Sequence, residues 1–251
     1  MKRTWTISVG CLTVGVWLCP TSAHAMHISE GILPIDWAGF WWLAAVAFVG
    51  FGLTVLRRRR EADPRAMPLV AMVGAAIFVI SCMPVPIPGV GSCAHPCGVG
   101  LGALLLGPWL TVLVASVALT FQALFLAHGG VTTLGADVIS MGVVGAFSAY
   151  ATFRTLCAMR VPLFAAAMAA GVISDWATYA TTSLQLAAAL SGDGSVGNMF
   201  VTIIVAFIPT QVPLGLVEGV MTAVAYRFVL DRRPDLLELP RVSRWVAGTG
   251  A

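Results

Sequence analysis

The chain has 251 residues, 59% of them apolar and only 10% charged, where a soluble domain carries about 25% charged residues. That deficit excludes an ordinary soluble domain and points to membrane-spanning helices. The formal charge of +3 shrinks once Lys2 and Arg3 are set aside, because residues 26–251 then hold 12 basic and 11 acidic side chains, which leaves no electrostatic footprint for nucleic acid.

The first 25 residues read as a cleavable signal peptide. Lys2 and Arg3 form a positive start, Trp5 to Cys19 an apolar run, and Ala23-His24-Ala25 a small-x-small cleavage site. Cleavage there leaves Met26-His27 as the mature N-terminus. Translation starting at Met26 has the same result, whereas an uncleaved leader would be a first helix. Lys2 is the only lysine, so no GxxxxGK[ST] phosphate loop exists and any use of ATP belongs to a partner.

Apolar segments follow at about 37–56, 67–86, 99–127, 136–153, 162–189 and 198–226. The positive-inside rule places Arg57 to Arg60, Arg154 with Arg160, and Arg227 with Arg232 and Arg233 in the cytoplasm. With Met26 outside, the first helix runs inward, and Trp37, Trp41 and Trp42 lie at the outer interface. Residues 87–98 and 128–135 then both fall outside, so the apolar run 99–127 begins and ends on one side. It must break, and Gly107-Pro108 is where a break is expected. The resulting limbs are about 97–107 and 109–127, the first too short to cross unless protein or a polar cavity surrounds it. Gly98-x-x-x-Gly102 within it suits close helix packing. The fold class expected is an all-α polytopic membrane protein with about seven transmembrane helices, one of them short, N-terminus outside and C-terminus cytoplasmic. A membrane domain over 26–230 and a cytosolic tail over 231–251 complete the division.

His27, His95 and His128 are the histidines left after the leader, all on or near the outer face. A Met-His terminus has a particular capacity for metal. The Met26 amine, the His27 amide nitrogen and His27 Nδ1 close adjoining five- and six-membered chelate rings in one plane. His95, held in a loop by Pro96 and neighbouring glycines, is the candidate for the fourth position of a square, a geometry of Ni(II) or Cu(II) rather than zinc. The blander alternative is a chance Met-His pair with a loop histidine at 95. Cys93 and Cys97 flank His95 as rival ligands, as a disulfide, or as packing groups; packing is the preferred reading. His128 suits a helix-end histidine better than a relay ligand. Asp175, Thr178, Thr182 and Gln185, at i, i+3, i+7 and i+10, share one helix face. Gln211 and Glu218 lie on the last helix. Intramembrane carboxylates face bundle interiors, where they either orient a ligand or join helices.

The blocks MHISEGILP, GSCAHPCGVGLGALLLGP, FQALFLAHGGVTTLGAD and TTSLQLA resemble, in collinear order over about residues 26–230, the CbiM/NikM family. These are the substrate-capture (S) components of energy-coupling factor (ECF) transporters for cobalt and nickel. The resemblance implies that Met26, His27 and His95 bind Co2+ or Ni2+ as transported substrate, with no permanent cofactor. His128, Asp137, Asp175, Gln185, Cys93 and Cys97 are candidates for the surrounding shell. It also implies a multi-pass protein of the cell inner membrane, with a transmembrane coupling (T) protein, a cytosolic ATPase pair and a small accessory membrane protein as partners. The block around His95 looks more like the cobalt branch. Cys97 replaces a more usual hydroxyl residue, and Asp137 a more usual Asn. The alternative function, a polytopic membrane metalloenzyme, needs a base beside an open metal position, and no carboxylate is spaced next to His95 as in HExxH.

Overall fold

The computed structural model describes residues 28–83, 85–87, 92–126 and 128–234. The predicted leader, Met26, His27 and nearly all of the predicted tail lie outside the described residues. Seven helices occur among the described residues: α1 (Ile35–Ala62), α2 (Met67–Ser81), α3 (Val99–Leu106), α4 (Pro108–Phe125), α5 (Leu134–Ala158), α6 (Leu163–Leu190) and α7 (Val196–Arg232). Between α2 and α3 a small antiparallel hairpin pairs β1 (Val85–Ile87) with β2 (Ser92–Ala94), Val85 opposite Ala94.

Five helices, α1 and α4 to α7, are long and apolar enough to cross a membrane. Their outer faces are apolar too: Ile35 is 80% and Leu43 76% exposed on α1, a surface that lipid solvates and water does not. The most apolar window of α1 is only 11% buried within the protein. This is a bundle whose outside is as apolar as its inside, the pattern of a membrane-spanning helix set.

The expected break is present. Gly107 has φ +80° and ψ 163°, a conformation that a residue with a Cβ rarely adopts. Pro108 then occupies the first turn of α4, where its missing N–H costs nothing. The eight residues of α3 span about 12 Å, well short of the roughly 30 Å hydrocarbon core. All of α3 except Leu101 is buried, so protein surrounds the short limb. Gly98 and Gly102 supply the close packing expected of them. A Cβ at Gly102 would lie 2.8 Å from Ile77 Cδ1 on α2 and 3.0 Å from Thr111 Cγ2 on α4.

One segment ends early. The apolar run 67–86 is helical only to Ser81, and residues 85–87 are extended. Pro86 cannot donate to a helix and forces the residue before it out of the helical region. Apolar content alone gave no sign of this. At the other extreme, the 37 residues of α7 reach about 55 Å and carry Pro209 and Pro213 inside the helix. Within α5, Val138–Gly145 is wound as a π-helix, a form found mostly at functional sites.

α6 and α7 approach closely through small residues. A Cβ on Gly171 would lie 2.9 Å from Gly219 Cα and 2.8 Å from Thr222 Oγ1. Gly100 of α3 meets the same Gly171, 3.1 Å from its Cα by the same measure. The short helix α3 therefore plugs into the seam between α6 and its neighbours, and the loop that precedes α3 is carried into the bundle interior.

Candidate metal centre

The site is built from three pieces of backbone that the bundle brings to one end. The first is the segment before α1. Ile28 is 3% exposed; its amide donates to Asp137 Oδ1 at 3.1 Å, and its carbonyl accepts from the Thr133 hydroxyl. Glu30 accepts from the Thr132 amide at 3.1 Å and lies so close to Gly130 that no side chain fits at that position. Trp42 Nε1 donates to the Val131 carbonyl at 3.0 Å. The segment before α1 is thus clamped to the loop 128–133 and the head of α5.

The second piece is the loop His95–Gly98. Its anchors come from α6 and α7. Tyr179 donates its hydroxyl to the His95 carbonyl at 3.0 Å. Glu218 accepts the Cys97 amide at 2.6 Å and the Gly98 amide at 2.9 Å, a carboxylate capping the first amides of α3 where the helix dipole favours negative charge. The sequence shows Glu218 as an intramembrane carboxylate but gives no hint that it holds this loop.

His95 itself is 1% exposed. Its Nδ1 lies 2.9 Å from the Pro96 carbonyl; a carbonyl only accepts, so Nδ1 carries the proton and Nε2 presents its lone pair. This is the arrangement that readies an imidazole for a metal. Burial first, and then the neighbouring His128, hold the His95 pKa down at about 4, against the Pro96 hydrogen bond, which raises it. His95 is therefore neutral at physiological pH, the form that ligates.

The third piece is the loop carrying His128, whose ring centroid lies 5.1 Å from that of His95 at a 52° tilt. Burial lowers its pKa as well. His128 is thus a neighbour of His95 as well as a helix-end residue. One small cavity joins His95 to Cys97, Asp137, Ser140, Met141, Thr178, Tyr179 and Thr182.

The polar stripe of α6 faces inward along its length: Asp175, Thr178, Thr182 and Gln185 are all buried. Gln185 Nε2 donates to the Ala136 carbonyl at 3.0 Å. Asp175 meets a separate group, with Cys97 Sγ 3.9 Å from Asp175 Oδ1. One ligand atom each from Cys97, Asp175 and Glu218 lies within 4.8 Å of the others. Burial, followed by the Glu218 and Asp175 charges, pushes the Cys97 thiol well up from its ordinary pKa. Cys97 is a free thiol, so it forms no disulfide with Cys93, which falls on β2, where only the backbone is described. The stripe read from the sequence omits Tyr179; its place four residues after Asp175 is the signal that could have found it, but a phenol there passes for ordinary core until the His95 carbonyl is placed beside it.

A buried imidazole inside a bundle of membrane-length apolar helices defines a membrane-embedded protein with a metal-ligating group in its interior, and known structures share the fold. A crystal structure of a transition metal transporter matches at TM-score 0.74 and 26% identity, covering 82% of this chain and 93% of that one. A truncated transition metal transporter matches at 0.72 and 25%, covering 82% and 99%. The family described as "CbiM: Cobalt uptake substrate-specific transmembrane region" matches residues 27–236. The chain belongs to the CbiM family. Cobalt transport protein CbiM of Sorangium cellulosum (strain So ce56) is 56% identical over 223 residues, 89% of this chain and 99% of the relative. The protein of the same name from Geobacter sulfurreducens (strain ATCC 51573 / DSM 12127 / PCA) is 46% identical over 237 residues, 94% of this chain and 68% of the relative.

Proposed function

We propose that the protein is the substrate-binding membrane subunit of an ATP-driven cobalt (or nickel) uptake transporter, and that it captures the divalent metal with its mature N-terminus and His95. The observation that carries this reading is the hydrogen bond from the Ile28 amide to Asp137 Oδ1. Asp137 lines the cavity that His95 also lines, and Ile28 follows His27 by one peptide bond, a Cα step of about 3.8 Å. That position of Ile28 supports the reading in which the Met26 amine and the His27 imidazole meet His95 at this cavity. The Met26 amine, His27 amide nitrogen and His27 Nδ1 supply three planar nitrogens, and His95 Nε2 the fourth.

The names of the relatives, cobalt transport proteins, support cobalt as the cargo, and the planar nitrogen set leaves nickel as the second substrate. Residues 1–25 are the cleaved leader, 26–230 the membrane domain and 231–251 the cytosolic tail. Counting α2 and α3 with the five long helices makes seven crossings, with the chain start outside and the tail in the cytoplasm, in the cell inner membrane. Arginines at the ends of α1, α5 and α7 support that orientation. With no lysine after Lys2, the chain cannot build a phosphate loop. Hydrolysis falls to a cytosolic ATPase pair, joined through a transmembrane coupling protein and a small accessory membrane protein.

The test is metal uptake by cells expressing this chain with those partners, compared with cells expressing Ala25→Leu. Leucine at the cleavage position blocks processing and keeps the Met26 nitrogen in a peptide bond. Uptake should be lost, with the protein still in the membrane. Full uptake by the uncleaved form would contradict the role of the free amine.

A further inference from the structure

Resting on this capture reading, we infer that Cys97, Asp175 and Glu218 form a second divalent-cation site, one helical turn deeper than His95, where the metal pauses on its way in. Three observations carry it. The first is the donor set: a thiol and two carboxylates, with ligand atoms within 4.8 Å of one another and all three side chains at 0–1% exposure. Two carboxylates side by side in a membrane interior are both ionised only with a positive partner; without one they hold a proton between them, which a divalent cation would displace. Among the described residues no arginine pairs with either, and no hydrogen-bond donor reaches Asp175 Oδ2.

The second is continuity. The cavity that touches His95 also touches Cys97, so a cation leaving the imidazole meets the thiol as its next donor. The contacts of α6 give the order: Gln185 bonds Ala136 near the chain start, Tyr179 bonds His95, and Asp175 meets Cys97. From Tyr179 to Asp175 the helix descends about 6 Å.

The third is a floor. One turn beyond Asp175, Gly171 meets Gly219 and Thr222 at separations that would admit no Cβ. The seam is closed there, which makes the cluster a stopping place rather than an open channel. Gly215, also on α7, leaves room for the Asp175 carboxylate, since a Cβ there would lie 3.0 Å from Oδ2.

The chemistry selects the ion. One sulfur and few oxygens suit Co2+ or Zn2+ in a tetrahedral setting and disfavour Mg2+ and Ca2+. Cys97 binds as the thiolate and Asp175 and Glu218 as carboxylates, so the thiol proton and the proton held between the two carboxyls leave to the buffer as the sulfur–metal and oxygen–metal bonds form. The capture site prefers a plane of nitrogens. The two sites differ in donor and in geometry, so one can be read without the other.

The experiment is a titration of the purified mature chain in detergent with Co2+ alone. The near-ultraviolet absorption of a sulfur-to-cobalt charge transfer is followed, and the bound metal counted. The wild type should take two equivalents, the weaker one bringing the sulfur band. Cys97→Ser should retain one equivalent, which shows it folded, and lose the band. His95→Ala should lose the tighter equivalent and keep the band. Asp175→Asn, which keeps the shape of the side chain, should shift the band to higher Co2+. A wild type without the band, or a Cys97→Ser protein that retains it, overturns the second site. Loss of the tighter equivalent on its own bears only on the capture reading.

Discussion

Asp137 shows what a single residue does here. Its carboxylate, 3% exposed, takes the Ile28 amide and so fixes where the segment before α1 lies. Asp137→Ala removes the acceptor and frees that segment; metal affinity should drop about ten- to hundredfold, as when a ligand's supporting hydrogen bond is lost. Asp137→Asn, whose carbonyl still accepts, should retain most of it. Calorimetric titration with Ni2+ or Co2+ checks both, and equal losses would mean that the hydrogen bond is not what matters. His95→Ala should cost more than Asp137→Ala, because it removes a ligand. His128→Ala should fall between wild type and His95→Ala, since its ring packs against His95. At this scale the sequence picked out His95, Cys97 and Asp137, which line one cavity. It could not show that Glu218 bolts the His95 loop from 120 and 121 residues away, because nothing in linear spacing couples a last-helix carboxylate to two loop amides.

Among the elements, the break at Gly107-Pro108 was legible because charge parity demanded it and the dipeptide permitted it. The stop of α2 at Ser81 was not, since Met83, Val85 and Ile87 continue the apolar pattern past it. The π-wound stretch Val138–Gly145 was equally hidden: VISMGVVG is an apolar, β-branched and glycine-rich stretch like many in membrane helices, and nothing in its spacing marks a wider turn. Two predictions belong to the helices. Gly102→Leu should destabilise the bundle by about 1–3 kcal/mol through overpacking against Ile77 and Thr111, read as a lower melting temperature in detergent. An unchanged melting temperature would show that the α2–α3 contact is not tight. Orientation is tested by thiol labelling in intact cells and in inverted vesicles. Cysteine at Pro108 should label only from the cytoplasmic side and cysteine at Val131 only from outside. Outside labelling at both positions would remove the crossing assigned to α3.

The whole molecule is an apolar helical bundle with one end organised around the His95 loop. Five helices provide the span, α3 carries the His95 loop inside, and α6 and α7 hold that loop from behind. The segment 28–34, pinned by Asp137, Thr133 and Thr132, lies beside the same cavity, which Asp137 lines. Every part of this arrangement assumes that the Met26 amine and His27 chelate the metal together. The most direct test inserts one alanine between Met26 and His27 in the mature protein and measures equilibrium binding of Ni2+ and Co2+. The insertion leaves every side chain present but enlarges the ring between amine and imidazole and moves the amine out of register with His95. The account predicts that high-affinity binding is lost as completely as in His27→Ala, with the protein still folded by its melting curve. Binding at the wild-type level by the inserted protein would contradict it.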